Sequence, residues 1–173
     1  FVIMPHNSGL ARAFVAGINK ALALDADIIV NTDADNQYCA DDIENLVKPI
    51  ISGEADIVIG SRPVSEIEHF SPLKKLLQKL GSSVMRLISS TDVEDAPSGF
   101  RAFSRNSAIQ LNVFDNYTYT LETIIQARAK GLQLKCVPIS VNPDLRESKL
   151  VKNMFDYIRR SMFTMIRMFI IYR

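Results

Sequence analysis

Residues 28–37 read Ile-Ile-Val-Asn-Thr-Asp-Ala-Asp-Asn-Gln, an apolar β-branched run that ends in two carboxylates one residue apart. Because side chains alternate in direction along a strand, we expect Asp33 and Asp35 to point to the same side at its carboxyl end. Open α/β sheets bind ligands at that end. Two carboxylates with the nearby amide of Gln37 offer the hard oxygen ligands that Mg²⁺ and Mn²⁺ prefer. A polar turn after a buried strand is the alternative, because Asp and Asn favour turns.

The apolar pattern on both sides of this stretch predicts an alternation of strands and helices. This alternation favours an α/β fold with a mostly parallel sheet flanked by helices. The last strand contains Pro138, which places it at an edge of the sheet. Residues 92–105 are predicted to form a loop. The predicted strands are Phe1–Met4, Ile28–Thr32, Ala55–Gly60 and Leu132–Val141, and the predicted helices are Leu10–Leu24, Ala40–Ser52, Pro72–Ile88, Ser107–Leu111 and Thr120–Ala129.

The composition limits the classes of partner. A chain of 173 residues fits one domain with a sizeable core. The net charge of +1 gives no indication of a nucleic-acid partner. The two cysteines, Cys39 and Cys136, lie far apart in the sequence, and we expect two reduced thiols in a cytosolic compartment.

The C-terminal segment differs from the rest in charge and pattern. Residues 146–173 carry seven basic and two acidic residues, so the preceding part of the chain is acidic. Residues 151–172 have a wide apolar face interrupted by arginines, which is too charged to cross a bilayer alone. We interpret them as an amphipathic helical tail at a membrane surface. The alternative is packing on the domain core or dimerisation. The predicted division is one globular domain over 1–150 and this segment over 151–173.

Five short motifs follow one another in a recognisable order. Together they resemble the family 2 inverting glycosyltransferases, in particular the dolichyl-phosphate mannose synthases and the polyprenyl-phosphate glycosyltransferases. The resemblance runs over nearly the whole chain, and it implies a Rossmann-like nucleotide-diphospho-sugar transferase (GT-A) fold. The motifs are Asn7–Ala13 at the start of a helix, Asp33–Gln37, Gly60–Arg62, Ser98–Phe103 and Arg146–Leu150.

The resemblance also implies that the N-terminal part of the usual catalytic domain is missing. In the family, the first strand and helix hold part of the nucleotide site, and the chain has no match to them. Phe1–Met4 resembles a later strand of the fold. We therefore expect this chain alone to bind nucleotide poorly. The tail ends where many relatives continue into transmembrane helices.

The reaction that the resemblance implies joins two anions. The phosphate of a polyprenyl phosphate attacks the anomeric carbon of a nucleotide sugar, of the GDP-mannose or UDP-glucose type, at the cytoplasmic face of a membrane. Asp33, Asp35 and Gln37 match the metal-binding triplet, where Mg²⁺ or Mn²⁺ offsets the charge of the leaving diphosphate. A phosphate monoester has a second pKa of about 6, so this acceptor needs no strong base.

Positive charge is the main requirement on the acceptor side. Arg62 is the first candidate for the acceptor phosphate, because a guanidinium binds phosphate oxygens as a fork. Lys74 or Lys75 adds to it, or else belongs to a solvated basic face. Asp95 matches the position of the catalytic base in relatives that glycosylate hydroxyl groups.

Two further motifs complete the implied site. Ser98 and Arg101 shape its floor, and Arg101 pairs with the Asp-x-Asp region or a phosphate, or forms a structural salt bridge. Arg146 and Lys149 match a basic motif on a loop that closes over the diphosphate, or they anchor the chain at the membrane interface.

Two other functions stay open from the sequence. One is that of glycosyltransferases that act on a saccharide hydroxyl in cell-surface polysaccharide or glycolipid synthesis. Their Gln-x-x-Arg-Trp signature is missing, and the chain has no Trp, which counts against a processive synthase. A noncatalytic membrane-associated fragment is the other alternative.

Overall fold

A computed structural model describes residues 1–63, 75, 79, 81–86, 91–114, 118–142 and 154–172, with the backbone alone at 154–158 and 169. The strands are β1 (Ile28–Asn31), β2 (Ile57–Ser61), β3 (Arg101–Ser104) and β4 (Leu134–Pro138). The helices are α1 (Leu10–Ala23), α2 (Ile43–Ile51), α3 (81–86), α4 (Arg105–Gln110), α5 (Thr120–Ala129) and α6 (Met154–Tyr172), and a 3₁₀ turn over Ala40–Asp42 precedes α2.

The four strands form one mixed sheet in the order β1-β3-β2-β4. β2 and β4 are parallel, whereas β3 runs antiparallel to both β1 and β2. β1, β2 and β4 therefore share one direction. This confirms the α/β class and the edge position of the strand that contains Pro138.

The prediction that residues 92–105 form a loop throughout is wrong, because Arg101–Ser104 is a strand inside the sheet. An arginine opens this strand and hides its apolar pattern. Arg101 is nevertheless fully buried, and its side chain donates hydrogen bonds to three backbone carbonyls and a hydroxyl. Those bonds allow a charged residue to occupy an interior strand position.

Alternation along the strands divides the core between the two faces of the sheet. Ile57 and Ile59 of β2 point into one cluster, which also takes side chains from α1, α5 and α6. Val58 points into the other cluster, together with Leu46 of α2. Helices therefore cover both faces, as predicted.

Phe1–Met4 is not the buried strand that the sequence predicts. These residues have no regular secondary structure, and all four are exposed. Among the residues that the structure describes, no strand lies beside them. An apolar run needs such a neighbour to satisfy its backbone and to bury its side chains.

The C-terminal helix packs on the domain through one face. Met165 and Met168 of α6 are buried in the cluster that contains α5. Arg167 also donates a hydrogen bond to Glu122 of α5, and the side chain of Glu122 is fully buried. The other face exposes apolar side chains, namely Met162, Phe163, Ile166, Ile170 and Ile171. In the described parts of the chain, no helix has the length and apolarity to cross a membrane.

Candidate active site

The topology brings the sequence-predicted residues to one edge of the sheet. Asp33 follows the carboxyl end of β1, and Arg62 follows that of β2. Because β3 runs the opposite way, its amino end lies at the same edge, where Asn31 is paired with Arg101. The loop before β3 carries Ser98 and Gly99. Three of the five sequence motifs therefore meet around this edge.

The two carboxylates sit in different surroundings. Burial raises the pKa of Asp33 above its ordinary value, and the negative charge of Asp35 adds to this, while Arg62 and Arg101 act in the opposite direction. Asp35 accepts a hydrogen bond from the backbone N–H of Gln37 at 3.1 Å. Asn36 between them has a left-handed backbone with φ of 61°. The segment is thus a tight turn that keeps both carboxylates at the edge of the sheet.

These residues fit a hard divalent cation. Among the described residues, no group of three or more His, Cys, Asp or Glu could hold a metal ion by itself. Mg²⁺ is usually bound through one or two carboxylates, with substrate phosphates completing its coordination. Asp33 and Asp35 supply such a pair, and the pKa of Asp33 is raised first by burial and then by the negative charge of Asp35. The role of Gln37 as a ligand stays a prediction, since its side-chain oxygen accepts from Nη1 of Arg62 at 3.4 Å.

Arg62 forms a forked ion pair with Asp95. Its Nε donates to Oδ2 of Asp95 at 2.6 Å, and its Nη2 donates to Oδ1 at 3.0 Å. The backbone N–H of Arg62 also donates to Oδ2, at 3.3 Å. The side chains of Arg62 and Asp95 are 9% and 1% exposed. The residue predicted to bind phosphate and the residue matched to a base are therefore bound to each other.

Arg101 holds the loop that leads into β3. Nε donates to the Ser98 carbonyl at 2.8 Å, and Nη2 donates to the Ala96 carbonyl at 2.7 Å. Nη1 donates to the Thr120 carbonyl and to Oγ1 of Thr123 in α5. Burial lowers the pKa of this guanidinium. These four bonds fix the loop through three backbone carbonyls and a hydroxyl rather than through a carboxylate. The role of Arg101 in the floor of a substrate site stays a prediction.

Three side chains that no sequence motif indicates surround Gly99. Asn31 donates from Nδ2 to the Gly99 carbonyl at 2.8 Å and to the Tyr119 hydroxyl at 2.6 Å. The Tyr38 hydroxyl accepts from the Gly99 N–H at 3.1 Å. One signal for Asn31 was available, because strand alternation places it on the same side as Ile29, facing the core. The two tyrosines, 61 and 20 residues away from Gly99 in sequence, gave no such signal.

The remaining predicted site residues are less informative. Ser98 is fully buried. Lys75 is helical and half-buried. Lys74, Arg146 and Lys149 lie outside the described residues, so the structure leaves their roles as predictions.

Comparison with known sequences identifies glycosyltransferases among the relatives of this chain. The profile of a family described as glycosyl transferase family 2 matches residues 1–111. A UDP-N-acetylglucosamine–dolichyl-phosphate N-acetylglucosaminyltransferase of Methanococcus voltae is 36% identical over 139 residues, which cover 78% of this chain and 55% of that enzyme. A polyprenol monophosphomannose synthase of Mycolicibacterium smegmatis is 26% identical over 160 residues, covering 90% and 60%. The chain thus spans little more than half the length of these relatives.

Comparison with solved structures gives the same fold. Glucosyl-3-phosphoglycerate synthase from Mycobacterium tuberculosis, crystallised with phosphoglyceric acid, superposes with a TM-score of 0.65 at 18% identity, covering 96% of this chain and 55% of that one. A second crystal structure of the same synthase contains Mn²⁺, UDP and glucosyl-3-phosphoglycerate, and its TM-score is 0.62. At this identity the likeness establishes the GT-A-like fold alone.

Proposed function

This chain belongs to glycosyl transferase family 2, and we propose that the whole protein moves a sugar from a nucleotide-diphosphate sugar to a polyprenyl phosphate. The transfer inverts the anomeric carbon, because the acceptor phosphate displaces the nucleotide diphosphate directly. The donor is of the GDP-mannose or UDP-glucose type. Two sequence relatives whose names describe sugar transfer to dolichyl phosphate or polyprenol support this acceptor class.

Our choice of a phosphate acceptor rests on the ion pair between Arg62 and Asp95. A hydroxyl acceptor needs a base within hydrogen-bond reach of the proton to be removed. Asp95 is the residue matched to that base, yet its carboxylate is 1% exposed and accepts both arms of the Arg62 fork. A phosphate monoester is already largely ionised at neutral pH, so it can attack without a base. The pair therefore favours a phosphate acceptor over a sugar hydroxyl.

Each remaining residue then has a defined task toward two anionic substrates. Asp33 and Asp35 would hold Mg²⁺ or Mn²⁺, which, when bound, offsets the charge of the leaving diphosphate. Arg62, oriented by Asp95, lies near enough to Asp33 to lower its pKa and adds positive charge at the same edge of the sheet. Arg101 keeps the floor loop in place beneath them.

A lipid acceptor also requires access to a membrane surface. The outer face of α6 presents five exposed apolar side chains, and Arg159 and Arg160 are exposed on the same helix. Exposed apolar groups beside arginines suit the boundary between head groups and acyl chains. We propose that this face rests on the cytoplasmic surface of a membrane.

The test is a sugar-transfer assay on the full-length protein in detergent. Radiolabelled GDP-mannose and UDP-glucose are supplied separately with undecaprenyl or dolichyl phosphate and Mn²⁺ or Mg²⁺. We expect label to enter the organic phase with one donor and to disappear with EDTA. Asp35→Ala is expected to abolish the transfer.

Gly17→Ala is the matched control, because Gly17 lies exposed on α1 and a Cβ there meets no atom within 4 Å. It should retain full activity. Label that appears only in water-soluble saccharide would overturn the lipid acceptor in favour of a hydroxyl acceptor. Full activity of Asp35→Ala would overturn the metal assignment.

A further inference from the structure

Gly99 lies directly against the carboxylate of Asp33. A Cβ added at Gly99 would stand 2.7 Å from Oδ2 and 3.1 Å from Oδ1 of Asp33. Gly99 is not among the glycines with a left-handed backbone, so its conformation does not require glycine. The requirement is one of space, since the carboxylate occupies the volume that any side chain at position 99 would need.

Both peptide groups of Gly99 are fixed by side chains from other parts of the fold. On the amino side, the N–H of Gly99 donates to the Tyr38 hydroxyl at 3.1 Å. On the carboxyl side, its carbonyl accepts from Nδ2 of Asn31 at 2.8 Å and from the Tyr119 hydroxyl at 3.4 Å. The residue that contacts Asp33 is therefore held from both ends.

The groups that hold Gly99 are themselves packed and hydrogen-bonded. The Tyr119 ring stacks on Phe14 of α1 with a centroid distance of 3.9 Å and an interplanar angle of 1°. The Tyr38 ring stacks on Phe100 at 5.0 Å. Asn31 lies at the end of β1 and bonds to Tyr119 as well as to Gly99. The arrangement connects α1, β1 and the start of α5 to one peptide.

We propose that Asn31, together with Tyr38 and Tyr119, is a positioning residue that fixes Gly99 as a platform for the Asp33 carboxylate, so that this carboxylate is oriented before a divalent cation binds. The proposal rests on the assignment of Asp33 and Asp35 to a cation in the proposed function. Residues that orient metal ligands affect metal affinity when they are replaced, typically by 10–100-fold.

The proposal predicts the order of effects among variants. Gly99→Ala forces the carboxylate to move, and we expect it to weaken Mn²⁺ binding by at least about 10-fold. Asn31→Ala removes the shorter of the two bonds to the Gly99 carbonyl and should weaken binding by about 10-fold. Tyr119→Phe removes the 3.4 Å bond to the Gly99 carbonyl and the 2.6 Å bond that its hydroxyl accepts from Asn31. It leaves the 2.8 Å bond of Asn31 to that carbonyl in place, so its effect should be smaller than that of Asn31→Ala.

The experiment is a titration of the full-length protein with Mn²⁺, followed by electron paramagnetic resonance of the free ion, with and without UDP. Thermal melts of every variant establish that it is folded. Gly17→Ala controls for adding a methyl group to glycine. Ile57→Val controls for lost stability. Ile57 is fully buried at the amino end of β2, whereas Arg62 and the candidate site lie at its carboxyl end. Removing one methylene group from it costs about 1 kcal/mol.

Weaker Mn²⁺ binding by Gly99→Ala and Asn31→Ala, with both controls unchanged, supports the proposal. Unchanged Mn²⁺ binding by a folded Asn31→Ala overturns it, whatever Gly99→Ala does. Failure of the unsubstituted protein to bind Mn²⁺ also overturns it. Sugar transfer is measured separately, so a protein that binds Mn²⁺ as predicted but transfers no sugar contradicts the proposed function alone.

Discussion

Asp33, a proposed cation ligand, shows how a residue that serves binding can oppose the stability of the fold. Its carboxylate is half-buried beside Gly99, and burial together with Asp35 raises its pKa. Folding therefore disfavours the charged form of this carboxyl relative to the unfolded chain. A bound cation would relieve this repulsion, which is the expected behaviour of a site that is completed by its ligand.

Replacing that charge should stabilise the metal-free protein. A carboxylate whose pKa is raised on folding stabilises the folded state most below its ordinary value of 3.8, and this contribution is lost as the pH rises through the higher folded value. In EDTA at pH 7, Asp33→Asn should therefore melt at a higher temperature than the unsubstituted protein. The difference should shrink as the pH falls toward 4. A lower melting temperature of Asp33→Asn at pH 7 would contradict this account.

The ion pair between Arg62 and Asp95 leads to a second prediction at the scale of single residues. Arg62→Met removes the guanidinium from a carboxylate that is 1% exposed, so we expect a loss of about 3 kcal/mol in the free energy of unfolding. Urea denaturation measures it. The double variant Arg62→Met/Asp95→Leu should recover most of the loss, because it removes the buried charge as well. A double variant as unstable as Arg62→Met would show that the pair is not the source of the effect.

At the scale of elements, the local sequence predicts a helix or strand well where its apolar spacing or its end signals are strong. The helix at Thr120–Ala129 was predicted with its observed bounds, and the Gly131 that follows it has the left-handed φ of 67° that such an end requires. β3 was missed because its first residue is an arginine whose burial depends on carbonyls and a hydroxyl from residues 96, 98, 120 and 123. No window of sequence contains that information.

In the candidate site, too, some features follow from local sequence and others depend on contacts between distant residues. Asp33 and Asp35 were predictable, because strand alternation and a ligand-binding edge are local and general rules. The bond between Arg62 and Asp95 joins residues 33 positions apart, and the contact of Asp33 with Gly99 depends on how β1 and β3 pair. Local rules therefore place Asp33, Asp35 and Arg62 at the ends of their strands, but they do not predict which side chains bind each other.

The outer face of α6 makes a prediction at the scale of one element. The triple variant Phe163→Ser/Ile166→Ser/Ile170→Ser replaces side chains that are 72%, 55% and 73% exposed, so the fold should be retained. Loss of this apolar surface should weaken binding to vesicles of phosphatidylcholine and phosphatidylglycerol. Flotation of the full-length protein in a density gradient measures the binding.

Ile51→Ser serves as the matched control, since Ile51 is 74% exposed at the end of α2. It should float as the unsubstituted protein does. Equal flotation of the triple variant would mean that the apolar face of α6 does not contact the membrane.

At the scale of the whole molecule, the mixed sheet determines which groups meet. Parallel β1 and β2 bring Asp33 and Arg62 to one edge, and the reversed β3 brings the Gly99 loop to the same edge. The result is a pair of carboxylates beside a guanidinium that is already held by Asp95. With a divalent cation held by the two carboxylates, as proposed, this edge would suit two anionic substrates. An acceptor that must first lose a proton would find Asp95 already bound by Arg62.

The most direct test of this central claim compares two acceptors that differ only in the phosphate. Full-length protein with its preferred labelled donor and Mn²⁺ is supplied with undecaprenyl phosphate or with undecaprenol, and the labelled lipid is quantified. We expect transfer to undecaprenyl phosphate and none above background to undecaprenol. Comparable transfer to undecaprenol would contradict it, because a base would then have to be available in a site where Asp95 is bound by Arg62.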